Sequence, residues 1–130
     1  MTAPTLNVPL AEAVLKQITE HPEQHDQASF GVRRADCGTT YCIAGWAIAL
    51  SPDVVEYDWH DSWRGPYEAM SSVRFRDGRP RVDGWRSEPF AAGRELLGLS
   101  GEDADWLFLD CGETEAVDYL RHLIATAVKP

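Results

Sequence analysis

Lysine is nearly absent from this 130-residue chain: two lysines accompany ten arginines, and together they face 21 carboxylates. The resulting net charge of −9 repels nucleic-acid phosphates, which argues against double-stranded DNA as a partner. Missing too is any apolar run near the roughly 20 residues that span a bilayer, so no membrane association is expected. The opening stretch MTAPTLNVPLAEAV has no basic start leading into an apolar block. No signal peptide is therefore expected, and a cytoplasmic location follows as the default. Cysteine is scarce; three thiols, an odd number without a secretion signal, point to reduced cysteines rather than a disulfide framework. Neither a glycine-rich phosphate loop, a paired-carboxylate motif nor a calcium loop stands out, and no cofactor is expected. Repeats and disordered linkers are lacking as well, and the length suits one domain, 1–130, with a real core.

What is present divides into helical ends and an irregular middle. Leu10, Ala11, Val14, Leu15 and Ile18 recur at helical spacing, which predicts a helix over 8–20 capped by Asn7. A short helix over 22–29 is expected to follow Pro22. Residues 39–50 predict a helix opened by Thr39 and apolar all round, hence buried. Ser87, Ser100 and Thr114 are expected caps for helices over 88–97, 101–109 and 114–128, with Gly98 ending the first of these. Between the helices, residues 55–60 alternate as a half-buried strand would, and Asp77-Gly78 reads as the turn of a hairpin over 73–82. The expected fold class is mainly α (α+β): a small helical domain around one buried central helix, with a β-hairpin insertion at about 53–86.

The stretch CGTTYCIAGWAIAL, residues 37–50, raises the question of thiol chemistry. With Thr39 as cap, Cys42 would occupy the third helical position, where the helix dipole favours a thiolate. Cys42 or Cys37 is then a candidate nucleophile for a thiol-dependent hydrolase or transferase, with His21, His25, His60 or His122 as base. Packing of a small buried thiol against Trp46 is the plainer reading. A second possibility is a structural zinc site, in which His21 and His25 join Cys37 and Cys42 as a His2Cys2 set. Pro22 between the two histidines counts against it.

Charge is segregated. Residues 95–118 carry eight acids and no Lys or Arg, whereas 73–86 carry five arginines. The segment Ala91 to Asp110 has the rhythm of a helix-turn-helix, but Glu102, Asp103 and Asp105 stand where a recognition helix meets phosphates. An arginine hairpin also suits a phosphate or single-stranded RNA, with Phe75 or Trp85 as a stacking surface. Arginines and aromatics are the residue types of protein-binding hot spots, and they concentrate in 53–86. Arg74, Phe75, Arg76, Arg79, Arg81, Trp59 and Trp63 are therefore the candidate partner-binding residues. A variant sets the acidic 95–118 face against a basic partner.

Cys37-Gly38-Thr39-Thr40-Tyr41-Cys42-Ile43-Ala44-Gly45-Trp46-Ala47 resembles a C-G-T-x-x-C-x-A-G-W-A motif of small actinobacterial and actinophage proteins with no assigned activity. His21-Pro22-Glu23 upstream, and Leu96 to Leu99 and Ala104 to Phe108 downstream, are similar to the same proteins. The likeness covers about 10–50 and 88–125. It implies that Cys37, Gly38, Thr39, Cys42, Gly45 and Trp46 act as one unit, and it is consistent with a phage or mobile-element origin. The leading expectation is a small acidic protein-binding or regulatory module that docks on another protein through 53–86, from which 73–83 should be removable without loss of fold.

Overall fold

Asn7 opens the first helix as the sequence predicts. Its side chain accepts a hydrogen bond from the Leu10 N–H at 3.3 Å, and α1 runs Val8–Glu20 with Leu10, Ala11, Val14 and Ile18 buried. The computed structural model describes residues 5–25, 32–34, 38–61, 68–81, 84 and 87–127. The expected helix over 22–29 does not form in its described part. Pro22–Gln24 makes one 3₁₀ turn, His25 is already extended, and residues 26–29 lie outside the described residues. The Gln24 carbonyl is engaged elsewhere: it accepts from the Tyr41 N–H at 3.0 Å and from the Trp46 indole N–H at 3.2 Å.

The central helix also starts later than its composition suggests. Thr39 belongs to a strand, β2 (Gly38–Thr40), which pairs antiparallel with β1 (Val32–Arg34) in a register that sets Thr39 opposite Arg33. Cys42 takes the cap position in extended conformation, and α2 spans Ile43–Leu50. Backbone pairing with β1 holds Thr39 in the strand and keeps it from opening the helix. From Ile43 to Ile48 every residue is buried, as a helix apolar all round requires.

Two long strands follow, β3 (Val54–Asp61) and β4 (Glu68–Phe75). Among the described residues the sheet is antiparallel with order β2-β1-β4-β3, so β3 is an outer strand. The hairpin thus lies N-terminal to the predicted 73–82. The Asp77-Gly78 turn does form, with the Gly78 N–H donating to the Phe75 carbonyl at 3.0 Å, but residues 79–81 do not return as a strand. Pro80 has no N–H to give a ladder.

Two register shifts decide which side chains of the hairpin reach the core. Val54 pairs with Phe75 and Glu56 with Arg74, leaving Val55 as an extra residue on β3. Asp58 pairs with Ser72 and Trp59 with Met70, leaving Ser71 extra on β4. A bulge reverses the alternation of faces. Met70 and Val73, of opposite parity, are consequently both buried, while Val55 is turned outward from the half-buried Tyr57 and Trp59.

The second helical half follows its local signals closely. The Ser87 hydroxyl accepts from the Phe90 N–H, and α3 (Glu88–Leu97) ends at Gly98, whose φ is 70°. The Leu99 N–H returns to the Arg94 carbonyl and its side chain is buried, the C-cap contact expected after a left-handed glycine. Ser100 caps α4 (Gly101–Asp105), which widens into a π-helical turn over Trp106–Asp110 instead of continuing as α-helix to 109. The last helix, α5 (Glu113–Ala127), begins one residue before the predicted 114. Gly112 rather than Thr114 stands at its cap, and Glu115 accepts from the Gly112 N–H at 3.1 Å, half of a capping box. Val128 lies outside the described residues.

The chain is mainly helical with an antiparallel sheet, an α+β fold, and α2 is its buried centre. A Cβ on Gly93 of α3 would lie 2.7 Å from the Ala44 Cβ, which is how closely α3 crosses α2. Phe90 of α3 meets Phe108 edge to face at 5.4 Å. No helix among the described residues is long and apolar enough to cross a membrane.

Candidate functional site

The described part of the cysteine motif folds into packing, with Cys42 sealed in the core. Cys42 is 1% exposed, at the cap of α2 and not three residues inside it. A buried thiol beneath Tyr41 and the helix is out of a substrate's reach. Gly38 and Thr39 are backbone members of β2, Gly45 and Trp46 are buried in α2, and Cys37 lies outside the described residues. What the segment accomplishes is a clamp: Tyr41 and Trp46 both hold the Gln24 carbonyl, tying the His-Pro-Glu turn to the core helix.

The proposed zinc ligands do not converge in their described part. His21 is exposed with its Nδ1 3.6 Å from Glu23, His25 bridges to Tyr41 through its backbone, and Cys42 is buried. Among the described residues no group of three or more His, Cys, Asp or Glu side chains is placed to hold a metal ion.

The arginines of the hairpin divide into two kinds. Arg81 is mostly buried. It makes paired hydrogen bonds to Asp77 at 2.9 and 3.0 Å, donates to Glu95, and stacks its guanidinium 3.8 Å over the Phe75 ring. Its hydrogen bond, with that from the Arg79 N–H, holds the Asp77 carboxyl down at about 2. Phe75 is 4% exposed, so it is a core residue and not a docking residue. Arg81 too is a structural clasp, joining the turn after β4 to α3. Arg74, Arg76 and Arg79 are exposed. Arg74 pairs with Glu56 across the strands at 2.9 Å, and Arg76 donates to the Pro52 carbonyl at 3.0 Å. Trp59 is half-buried in an aromatic group with Tyr41 and Tyr57, whose hydroxyls are 3.0 Å apart. Trp63 and Trp85 lie outside the described residues.

Two exposed apolar patches emerge that residue type alone does not reveal. Leu50, 38% exposed, and Val55, 48% exposed, flank the Ser51–Asp53 turn at the base of the hairpin. The bulge after Val54 is what turns Val55 out. On the acidic half, Trp106 is 40% and Leu109 48% exposed on the π-helical turn. Beside Trp106 opens a cavity of about 640 Å³ lined by Glu102, Asp103, Asp105, Asp110 and Tyr119. The Tyr119 hydroxyl donates to Asp103 at 2.6 Å, which pushes its pKa up to about 12. The Cys111 thiol is pushed up as well, first by burial and then by Glu115 and Asp110. The acidic run in the sequence signals the second patch, and Trp106 falls opposite the buried face of Ala104 and Phe108.

No protein-family model, no curated protein and no solved structure matches this chain.

Proposed function

We propose that this chain is a protein-binding module that docks through the outer flank of its β3–β4 hairpin. The observation that carries the reading is the placement of Leu50 and Val55, both exposed, at the base of the hairpin that presents Arg74, Arg76 and Arg79. Apolar side chains beside arginines make the composition of a hot spot, in which the guanidinium forms hydrogen bonds while the apolar neighbours exclude water. The bulge favours this use, since it turns Val55 outward from the half-buried face of the strand. The thiol-dependent alternative has less support, because the described candidate nucleophile, Cys42, is sealed in the core.

Deleting 73–83 is not a clean test, contrary to the expectation from sequence, because Val73 and Phe75 are buried and Arg81 clasps α3. Point substitutions separate fold from docking. Proteins captured by the wild-type chain and identified by mass spectrometry should bind it directly when purified. Val55→Asp combined with Arg76→Glu and Arg79→Glu should abolish that direct binding while the circular dichroism stays unchanged. Undiminished affinity in a folded triple variant would sink the assignment.

A further inference from the structure

Trp106 and Leu109 leave the core together. Ala104, Leu107 and Phe108 of the same segment are buried, whereas Trp106 and Leu109 are exposed, and Trp106 lines the 640 Å³ cavity. The charged side chains that line the cavity are all carboxylates. Glu102, Asp103, Asp105 and Asp110 line the cavity, and the sequence places no Lys or Arg between residues 95 and 118. Asp103 is occupied by the Tyr119 hydroxyl, whereas Glu102 and Asp110 are exposed and pair with no described cation. Tyr119 stands edge-on to Trp106, with centroids 6.4 Å apart, and forms the wall behind it.

An uncovered indole between carboxylates suits a guanidinium or ammonium group. The ring face attracts the cation, and the carboxylates accept its N–H groups in charge-assisted hydrogen bonds. A bare metal ion fits less well, since it would use neither the indole nor Leu109. The volume is in the range of a ligand cleft rather than an ion site. Leu109, exposed on the same turn three residues after Trp106, offers a place for an apolar group of the same ligand. We infer that this cleft captures a basic peptide segment of another protein. One arginine or lysine enters between Trp106 and the carboxylates of Glu102 and Asp110, and an adjacent apolar side chain covers Leu109. The cleft shares no residue with the hairpin flank, so its test stands whether or not that flank docks a partner.

The test uses the full chain and a short fluorescein-labelled peptide of alternating arginine and leucine, read by fluorescence anisotropy. Saturable binding is expected, weakening steeply as salt rises from about 50 to about 300 mM. Glu102→Gln with Asp110→Asn should weaken it by about tenfold, and Trp106→Ala by a similar factor, with Trp106→Phe retaining part of the affinity. Arg76→Glu with Arg79→Glu should leave it unchanged. Absence of wild-type binding, or equal binding by folded cleft variants, overturns the inference. So does equally tight binding of free arginine amide, which would make the cleft a small-cation site. Cleft-dependent self-association in sedimentation that the peptide fails to compete with would assign the face to a second copy of the chain and overturn it too.

Discussion

The Cβ of Ala44 occupies the space that a side chain on Gly93 would need: a Cβ built there falls 2.7 Å from it and 3.0 Å from the Ala44 Cα. Helices α2 and α3 can cross this closely only because one of them has no side chain at the crossing.

Gly93→Ala should therefore destabilise the protein even though alanine is the better helix former. The gain in propensity is about 1 kcal/mol, and overpacking a dense core costs about 1–3 kcal/mol. The obstructing atoms belong to a helix backbone and its Cβ, so they cannot swing aside. A net loss of up to about 2 kcal/mol in urea unfolding is expected. Ala44→Gly in the same chain should recover part of it, and simple additivity of the two changes would disprove the contact.

Gly98 and Gly78 both have positive φ, 70° and 76°, yet their surroundings differ. A Cβ on Gly98 would collide with the Thr5 carbonyl, while one on Gly78 meets nothing within 4 Å. Gly78→Ala should cost only the left-handed penalty of about 1–2 kcal/mol. Gly98→Ala should cost distinctly more and should also loosen the N-terminal segment, where the Asn7 N–H donates to the Leu97 carbonyl at 2.8 Å. Comparable melting temperatures for the two variants would contradict this.

Asp77 links stability to acid. Its pKa falls from 3.8 to about 2 on folding, chiefly through the Arg81 hydrogen bond. A lowered folded value means that the contribution is fully present above 3.8 and fades as pH drops toward about 2. Wild type should be more stable than Asp77→Asn at pH 6, and the difference should shrink steadily below pH 4. A difference that stays constant down to pH 2 would disagree.

Tyr119 acts at the opposite end of the scale. Its pKa rises from 10.0 to about 12 because its hydroxyl donates to Asp103. A raised folded value means that the contribution holds below 10 and is lost as pH climbs toward about 12. Ultraviolet titration should lose one late-ionising tyrosine in Asp103→Ala, and Tyr119→Phe should flatten the alkaline loss of stability. Late ionisation that survives Asp103→Ala would place the cause elsewhere.

The two described thiols should be slow. Cys42 is sealed and Cys111 is half-buried with its pKa raised. Iodoacetamide at neutral pH should label neither quickly in the native state, and both promptly in denaturant. Fast native labelling of Cys42 would revive the nucleophile reading.

Much of this architecture was legible in short windows. Asn7, Ser87, Ser100 and Gly98 each cap the helix end that their residue types announce, because a cap is settled by hydrogen bonds within one turn. The burial of α2 was legible for a similar reason, since a helix without a polar face has no side to show to water. The start of α2 was not. Thr39 is as good a cap as Ser87, and only the pairing of β2 with β1 takes it out of the helix.

The candidate surfaces divide along the same line. The sequence by itself determined where acids and arginines cluster, since charge segregation is a property of order along the chain. Only the tertiary structure decided that Phe75 and Arg81 are structural, that a bulge turns Val55 outward, and that Trp106 shares a cavity with Glu102, Asp103, Asp105 and Asp110. Strand register and the crossing of helices depend on partners distant in sequence. A one-residue shift in either moves a side chain from core to solvent without changing the residues beside it.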